Sequence, residues 1–211
     1  MKKQFTRAAM AAALVFAFGT GVNAQTTSPR MMDQDIAGLP PTPVSKDQYK
    51  MAKDRIEEDQ KSARKSCDSL SGNNKDICQA EAKAKEKIAK SELEARFKNT
   101  AKARQEAREQ RAEAEFDVAK EKCDDMAGNA KDVCVKDARA VMTRAKVDAK
   151  ADRKVSDVQT KDTKKVAEVR KDAAEDKNDA AYAAAKERCD TLAGQAKDRC
   201  VNDAKARFGK T

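Results

Sequence analysis

No histidine and no tryptophan occur among the 211 residues of this chain. Histidine is the commonest general base and metal ligand, so its absence removes the usual route to acid–base or metal chemistry. Carboxylates are plentiful, but they sit among lysines at helical i,i+4 spacing, where they serve as solvated ion-pair partners. No glycine-rich phosphate loop and no nucleophile-elbow motif is present. The residues therefore read as a protein that is not an enzyme, with no cofactor and no metal. Nucleic-acid binding would need a concentrated basic patch with stacking aromatics. Lys/Arg and Asp/Glu alternate throughout instead.

Proline and glycine are scarce and confined. Pro29, Pro40, Pro41 and Pro43 are the only prolines, and beyond Gly38 the only glycines are Gly72, Gly128, Gly194 and Gly209. Large apolar residues are also few. Past residue 24 the aromatics are Tyr49, Phe97, Phe116, Tyr182 and Phe208. Such a chain cannot fill a thick globular core. It can form long helices packed through thin alanine seams, and Ala, Lys, Glu, Arg and Gln are strong helix formers. The expected fold class is all-α: antiparallel helical hairpins forming an elongated, coiled-coil-like rod.

The only long apolar run is Ala8 to Phe18, well short of the roughly 20 residues a membrane-spanning helix needs. Lys2, Lys3 and Arg7 precede it, and Val22-Asn23-Ala24 follows with small residues where a secretory peptidase requires them. Residues 1–24 are expected to be a signal peptide cleaved after Ala24, which places the protein in a periplasm. The mature chain then has no transmembrane segment. Removing Lys2, Lys3 and Arg7 lowers the formal charge from +9 by three, to +6. Residues 25–44 hold all the prolines and read as a disordered linker. The helical region is 45–211, opened by a capping box in Ser45-Lys46-Asp47-Gln48.

What the chain does have is one motif, three times. Cys67-Asp-Ser-Leu-Ser-Gly-Asn-Asn-Lys-Asp-Ile-Cys78 recurs as Cys123-Asp-Asp-Met-Ala-Gly-Asn-Ala-Lys-Asp-Val-Cys134 and as Cys189-Asp-Thr-Leu-Ala-Gly-Gln-Ala-Lys-Asp-Arg-Cys200, using all six cysteines. Two cysteines flanking one helix breaker read as a helical hairpin tied near its turn, with turns near 70–74, 127–130 and 193–196. Exported cysteines normally pair. Zinc sites favour close Cys pairs or His partners, and a redox pair favours Cys-x-x-Cys; neither pattern occurs. Gly72, Gly128 and Gly194 suit the left-handed position after a helix. Asn73 and Asn129 suit the cap of the next helix, with Asp76 and Asp132 at its third position. Gln195 is a poorer cap, so the third turn is expected to be the looser one. Asp68, Asp124 and Asp190 face either the next helix N-terminus, the motif lysines Lys75, Lys131 and Lys197, or solvent.

Folding each hairpin about its turn pairs Cys with Cys, then Ala63 with Ala82, Ala119 with Ala138, and Ala185 with Ala204. A disulfide needs Cα atoms roughly 4.4–6.8 Å apart, whereas packed helix axes lie about 8–10 Å apart. Alanine at both facing sites permits the closer approach. One layer further, Phe116 meets Val141 or Met142, and Tyr182 meets Phe208. Gln60, Lys85 and Glu86 make that layer polar in the first hairpin.

With so few breakers, the spacing predicts four helices, about 46–70, 74–126, 130–192 and 196–207. The two central ones would each be about 80–95 Å long. This path puts the first and third tied turns at one end of a rod and the second at the other. Asn99-Thr100 is the natural place for a break, since both residues favour caps over helix interiors. The stretch 143–180 is the weakest helix. A seam runs through it at 11-residue period: Val147, Ala151, Val155, Val158, Val166, Val169, Ala173, Ala180 and Ala184. A heptad on the first helix runs through Tyr49, Ala52, Ile56, Ala63 and Leu70.

The Cys–Gly–Cys motif, the Lys/Ala-rich filling and the ending Ala204-Lys205-Ala206-Arg207-Phe208-Gly209-Lys210 resemble a family of exported Gram-negative bacterial proteins. These are often named TolA-like or cell envelope biogenesis proteins, and the resemblance covers about 46–211. Likeness to TolA itself amounts to an Ala/Lys/Glu-rich helical rod, without counterparts to its retained anchor and globular C-terminal domain. The resemblance implies an envelope location more than a mechanism. The sequence reading is thus a non-catalytic periplasmic rod: a structural scaffold or envelope-stress protein. The alternative is an amphipathic helix within 143–180 that binds anionic lipid or another envelope polyanion. Partners would be an envelope protein or an anionic surface, and alanine seams would allow pairing between chains.

Overall fold

The computed structural model describes residues 43–158 and 162–210, all within one compact unit. The signal-peptide expectation, and the linker apart from Pro43 and Val44, lie outside these residues. Six α-helices follow in order: α1 Lys46–Ser66, α2 Gly72–Lys98, α3 Ala101–Cys123, α4 Gly128–Asp157, α5 Thr163–Cys189 and α6 Gly194–Phe208. There is no strand among the described residues.

The start of α1 follows from its sequence. Ser45 Oγ accepts from the Gln48 amide at 3.2 Å, and Gln48 Oε1 accepts from the Ser45 amide at 2.9 Å. Val44, one residue before the cap, is buried beside Tyr49 in a hydrophobic staple. The folded region therefore includes Val44, which the proline-rich composition upstream had assigned to the linker. Val44, Ala52, Ile56 and Leu93 form the core between α1 and α2, with Tyr49, Ala89 and Phe97 packed against it. Of the α1 heptad, Ala52 and Ile56 are buried and Leu70 is exposed, because the helix ends at Ser66 and a 3-10 turn covers Cys67–Ser69.

Two breaks replace the long helices. Asn99 closes α2 in the left-handed conformation (φ 47°, ψ 40°), and Thr100 caps α3 by accepting from the Ala103 amide at 3.1 Å. The second break begins at Val158, and Asp162 caps α5 through the Lys165 amide at 3.2 Å. Each of the four central helices is therefore about 35–45 Å long rather than 80–95 Å. Asn tolerates positive φ and Thr and Asp are strong caps, so both breaks use locally suitable residues. Nothing nearby is a glycine or proline, so the seam packing after the fold-back makes these breaks worthwhile. Ala95, Ala103 and Ala107 form one buried cluster across α2 and α3.

Among the described residues each helix packs only on its neighbours in the chain: α1 on α2, α2 on α3, and so on to α6. Every pairing is antiparallel. Contacts show this, since residue numbers that climb on one helix fall on its partner. Between α2 and α3, Glu81 meets Lys122 and Lys87 meets Glu113. Between α4 and α5, Asp137 meets Arg188 and Asp148 meets Lys177. The result is three tied hairpins side by side in a row of six helices.

This alternation changes where the tied turns sit. With two extra reversals, the α1/α2, α3/α4 and α5/α6 turns all lie at one end, and the Asn99 and Val158 breaks at the other. The expectation of two turns at one end and one at the other is corrected. The 11-residue seam is corrected likewise. Its residues are all buried or half-buried, but they are divided between the two arms of the α4–α5 hairpin instead of running along one helix.

Candidate functional site

The end formed by the three turns holds every residue that the motif repeats. The disulfides are Cys67–Cys78, Cys123–Cys134 and Cys189–Cys200, with Cα–Cα distances of 5.7, 5.8 and 5.6 Å. These are within ordinary disulfide range and shorter than typical helix spacing. The flanking alanines are what allow it: none of Ala63, Ala82, Ala119, Ala138, Ala185 and Ala204 is exposed, and Ala82 and Ala204 are buried. No cysteine is free. A thiol buffer, which would need reduced cysteines, does not describe this arrangement.

Gly72, Gly128 and Gly194 all have φ of +56°. Each opens the helix after the turn instead of closing the one before it. A side chain at these positions would meet nothing within 4 Å, so the requirement for glycine is the backbone conformation alone. The caps of α2, α4 and α6 are Ser71, Ala127 and Ala193, and none supplies a side-chain cap bond. The expected capping role of Asn73 and Asn129 is corrected. Each reaches sideways to the next hairpin: Asn73 Nδ2 donates to the Glu121 carbonyl at 3.3 Å, and Asn129 Nδ2 to the Asp190 carbonyl at 3.2 Å. Among the described residues no hairpin lies beyond Gln195. The third turn matches the others in φ and in disulfide span.

The aspartate after each first cysteine pairs with the motif lysine. Asp68–Lys75, Asp124–Lys131 and Asp190–Lys197 are 3.6, 3.0 and 2.8 Å apart. The Lys197 hydrogen bond holds Asp190 below, and the Asp190 bond holds Lys197 above, their ordinary ranges. The position three after the first cysteine carries Leu70, Met126 or Leu192, exposed by 42, 47 and 43%. Two of the four leucines past residue 24 thus stand at the turns, while Leu93 is buried in the α1–α2 core.

Away from the turns, aromatic contacts close two hairpins. Tyr182 and Phe208 lie 6.1 Å apart, as their spacing from the third disulfide implies. Tyr49 and Phe97, which the turn-by-turn reading missed, lie 4.6 Å apart. The Tyr49 hydroxyl donates to Glu94 Oε2 at 2.7 Å; this bond raises the tyrosine, and Lys98 together with Tyr49 lowers Glu94. Phe116 takes the Arg139 guanidinium over its ring at 5.3 Å, while Val141 turns outward.

Charges also link helices. Glu113 on α3 accepts from Lys87 on α2 at 3.2 Å and from Lys146 on α4 at 2.8 Å. Lys146 most of all, and Lys87, hold its carboxyl below the usual range against an opposing push from burial. Glu115, two residues on, is pushed up by burial, with Arg111 opposing. No group of three metal-ligating side chains occurs among the described residues, and no helix there is long and apolar enough to cross a membrane. No protein-family model, curated protein or solved structure matches the chain.

Proposed function

We propose that this protein is a non-catalytic helical scaffold of the bacterial envelope, exported to the periplasm after cleavage behind Ala24, with a structural or envelope-stress role. One observation carries the reading. Three disulfide-tied turns stand side by side at one end and are hydrogen-bonded to one another through Asn73 and Asn129. Covalent ties and lateral bonds at the same end hold surface geometry in place. That is the requirement of a scaffold, whose work is done by a face and not by one reactive group. Fully paired cysteines support an oxidising compartment.

Complementation of a deletion strain tests it, scored by detergent sensitivity of the envelope. A variant without the middle disulfide (Cys123→Ala with Cys134→Ala) should fail to complement, while Glu113→Gln should succeed. The exported protein should begin at Gln25 by mass and contain no free thiol under denaturing conditions. Complementation by the disulfide variant, or a reduced protein retaining residues 1–24, would overturn the proposal.

A further inference from the structure

The two cysteines of each disulfide are not equivalent. Cys67, Cys123 and Cys189 are exposed by only 0, 1 and 1%. Their partners Cys78, Cys134 and Cys200 are half-buried. The first cysteine of each pair ends a helix, at Cys67 just past α1, and at the last residues of α3 and α5. The second lies in the second turn of α2, α4 or α6. An aspartate directly follows the first cysteine, and the lysine three residues before the second is on that cysteine's own helix face.

These differences set the direction of thiol–disulfide exchange. A thiolate must approach along the S–S axis, and of each pair only the second cysteine is a partly exposed residue. Attack there expels the first cysteine as a thiolate. That thiolate would be buried, and at the negative end of a helix dipole. Each of these raises the thiol pKa. Exchange slows as the leaving thiol becomes more basic. The sulfur that can be reached is therefore the one whose attack releases the poorer leaving group.

We infer that Cys78, Cys134 and Cys200 are the entry sites for exchange with an external thiol or dithiol, and that each disulfide is polarised so as to resist that exchange in the folded protein. The step is an attack of RS⁻ on the second cysteine, forming an RS–S bond there. The S–S bond to the first cysteine breaks, and the first cysteine leaves as a thiolate and takes a proton from solvent. A second thiolate of a dithiol then attacks the mixed disulfide and releases the second cysteine. The same route in reverse is how an oxidising disulfide would close a folded hairpin. This inference stands whether or not the scaffold reading holds.

Two measurements test it on the full chain. Native protein is exposed to reduced glutathione, trapped with N-ethylmaleimide and mapped by mass spectrometry. Glutathione should be found on Cys78, Cys134 and Cys200, at rates about tenfold below those of the urea-unfolded chain, because the leaving thiol is more basic in the fold. Single variants retain the other two disulfides and report each sulfur alone. Cys67→Ser, which leaves Cys78 free, should react with Ellman's reagent about tenfold faster than Cys78→Ser, which leaves Cys67 free. Adducts on the first cysteines, equal reactivity of the two variants, or native exchange as fast as in urea would each overturn the inference.

Discussion

The side-chain amide of Asn73 donates to the main-chain carbonyl of Glu121, 3.3 Å away and in a different hairpin. Asn129 repeats the bond toward Asp190, one hairpin on. The acceptors are not equivalent, since Glu121 precedes its cysteine by two residues and Asp190 follows its cysteine by one. What is shared is the donor position, immediately after the turn glycine, and the direction. Such bonds between neighbouring units are how a repeat array gains cooperativity beyond its separate hairpins.

Asn73→Ala and Asn129→Ala should each lower stability by about 0.5–1.5 kcal/mol, the usual net worth of one hydrogen bond. Gln195→Ala should be close to neutral, because among the described residues α6 packs only on α5. Urea denaturation measures the difference, and amide exchange should localise it to the turns. An equal loss in all three variants would show that these side chains act within their own turn.

The disulfides should outweigh any single seam layer. Closing a loop of this size contributes about 3 kcal/mol by chain-entropy reasoning, against about 0.8 kcal/mol for a buried alanine methyl. Reduction should therefore lower the melting temperature and the far-UV circular dichroism signal. The middle pair should matter most, since Asn73 bonds to the α3 end that Cys123 anchors and Asn129 leaves from the same turn. A melting curve unchanged by reduction would show that the helices hold without their ties.

Glu113 and Glu115 should respond to acid in opposite senses. The folded pKa of Glu113 is lowered, so its contribution is full above the ordinary Glu value of 4.5 and is lost as pH falls through the folded value. The folded pKa of Glu115 is raised, so the ionised group costs stability at neutral pH, and protonation relieves that cost as pH falls toward 4.5. Glu113→Gln should destabilise at pH 7 by less than about 1 kcal/mol, since Glu113 and its lysines are partly solvated. Glu115→Gln should stabilise at pH 7, with the gain vanishing by pH 4. Melting temperatures at pH 7 and pH 4 test both signs, and a gain for Glu113→Gln would contradict the three-helix network.

Local chemistry made much of this legible in the sequence. The cysteine pairing follows from spacing and facing alanines, the Ser45–Gln48 box from four consecutive residues, and the Tyr182–Phe208 contact from counting outward from a disulfide. The number of reversals was not legible. Asn99 and Thr100 signal a break, but Ala, Lys and Glu on either side would equally continue a helix. Packing of Ala95 on Ala103 and Ala107 tips the balance toward the fold-back. That one choice, with its counterpart after Val158, moves all three tied turns to one end. The lateral role of Asn73 and Asn129 depended on it, since their acceptors belong to hairpins that a straight rod would have placed elsewhere.

The α2–α3 break is therefore the most informative place to perturb. Asn99 holds φ at 47° and Thr100 caps α3. Alanine in the left-handed region costs about 1–2 kcal/mol, and loss of a threonine cap costs about 1 kcal/mol. Both changes also favour the competing state, a continuous helix of about 80 Å from Gly72 to Cys123. In that state Ala95, Ala103 and Ala107 lose their intramolecular partners, and a second copy can restore them by exchanging halves. Asn99→Ala with Thr100→Ala should shift the protein toward a dimer relative to the parent, with helix content kept or increased. Asn99→Gly accepts the same backbone angle and should leave the oligomeric state of the parent unchanged. Light scattering coupled to size-exclusion chromatography separates these outcomes. A double variant with the parent's mass and melting temperature would mean that the fold-back is fixed by packing alone and that its cap residues contribute nothing.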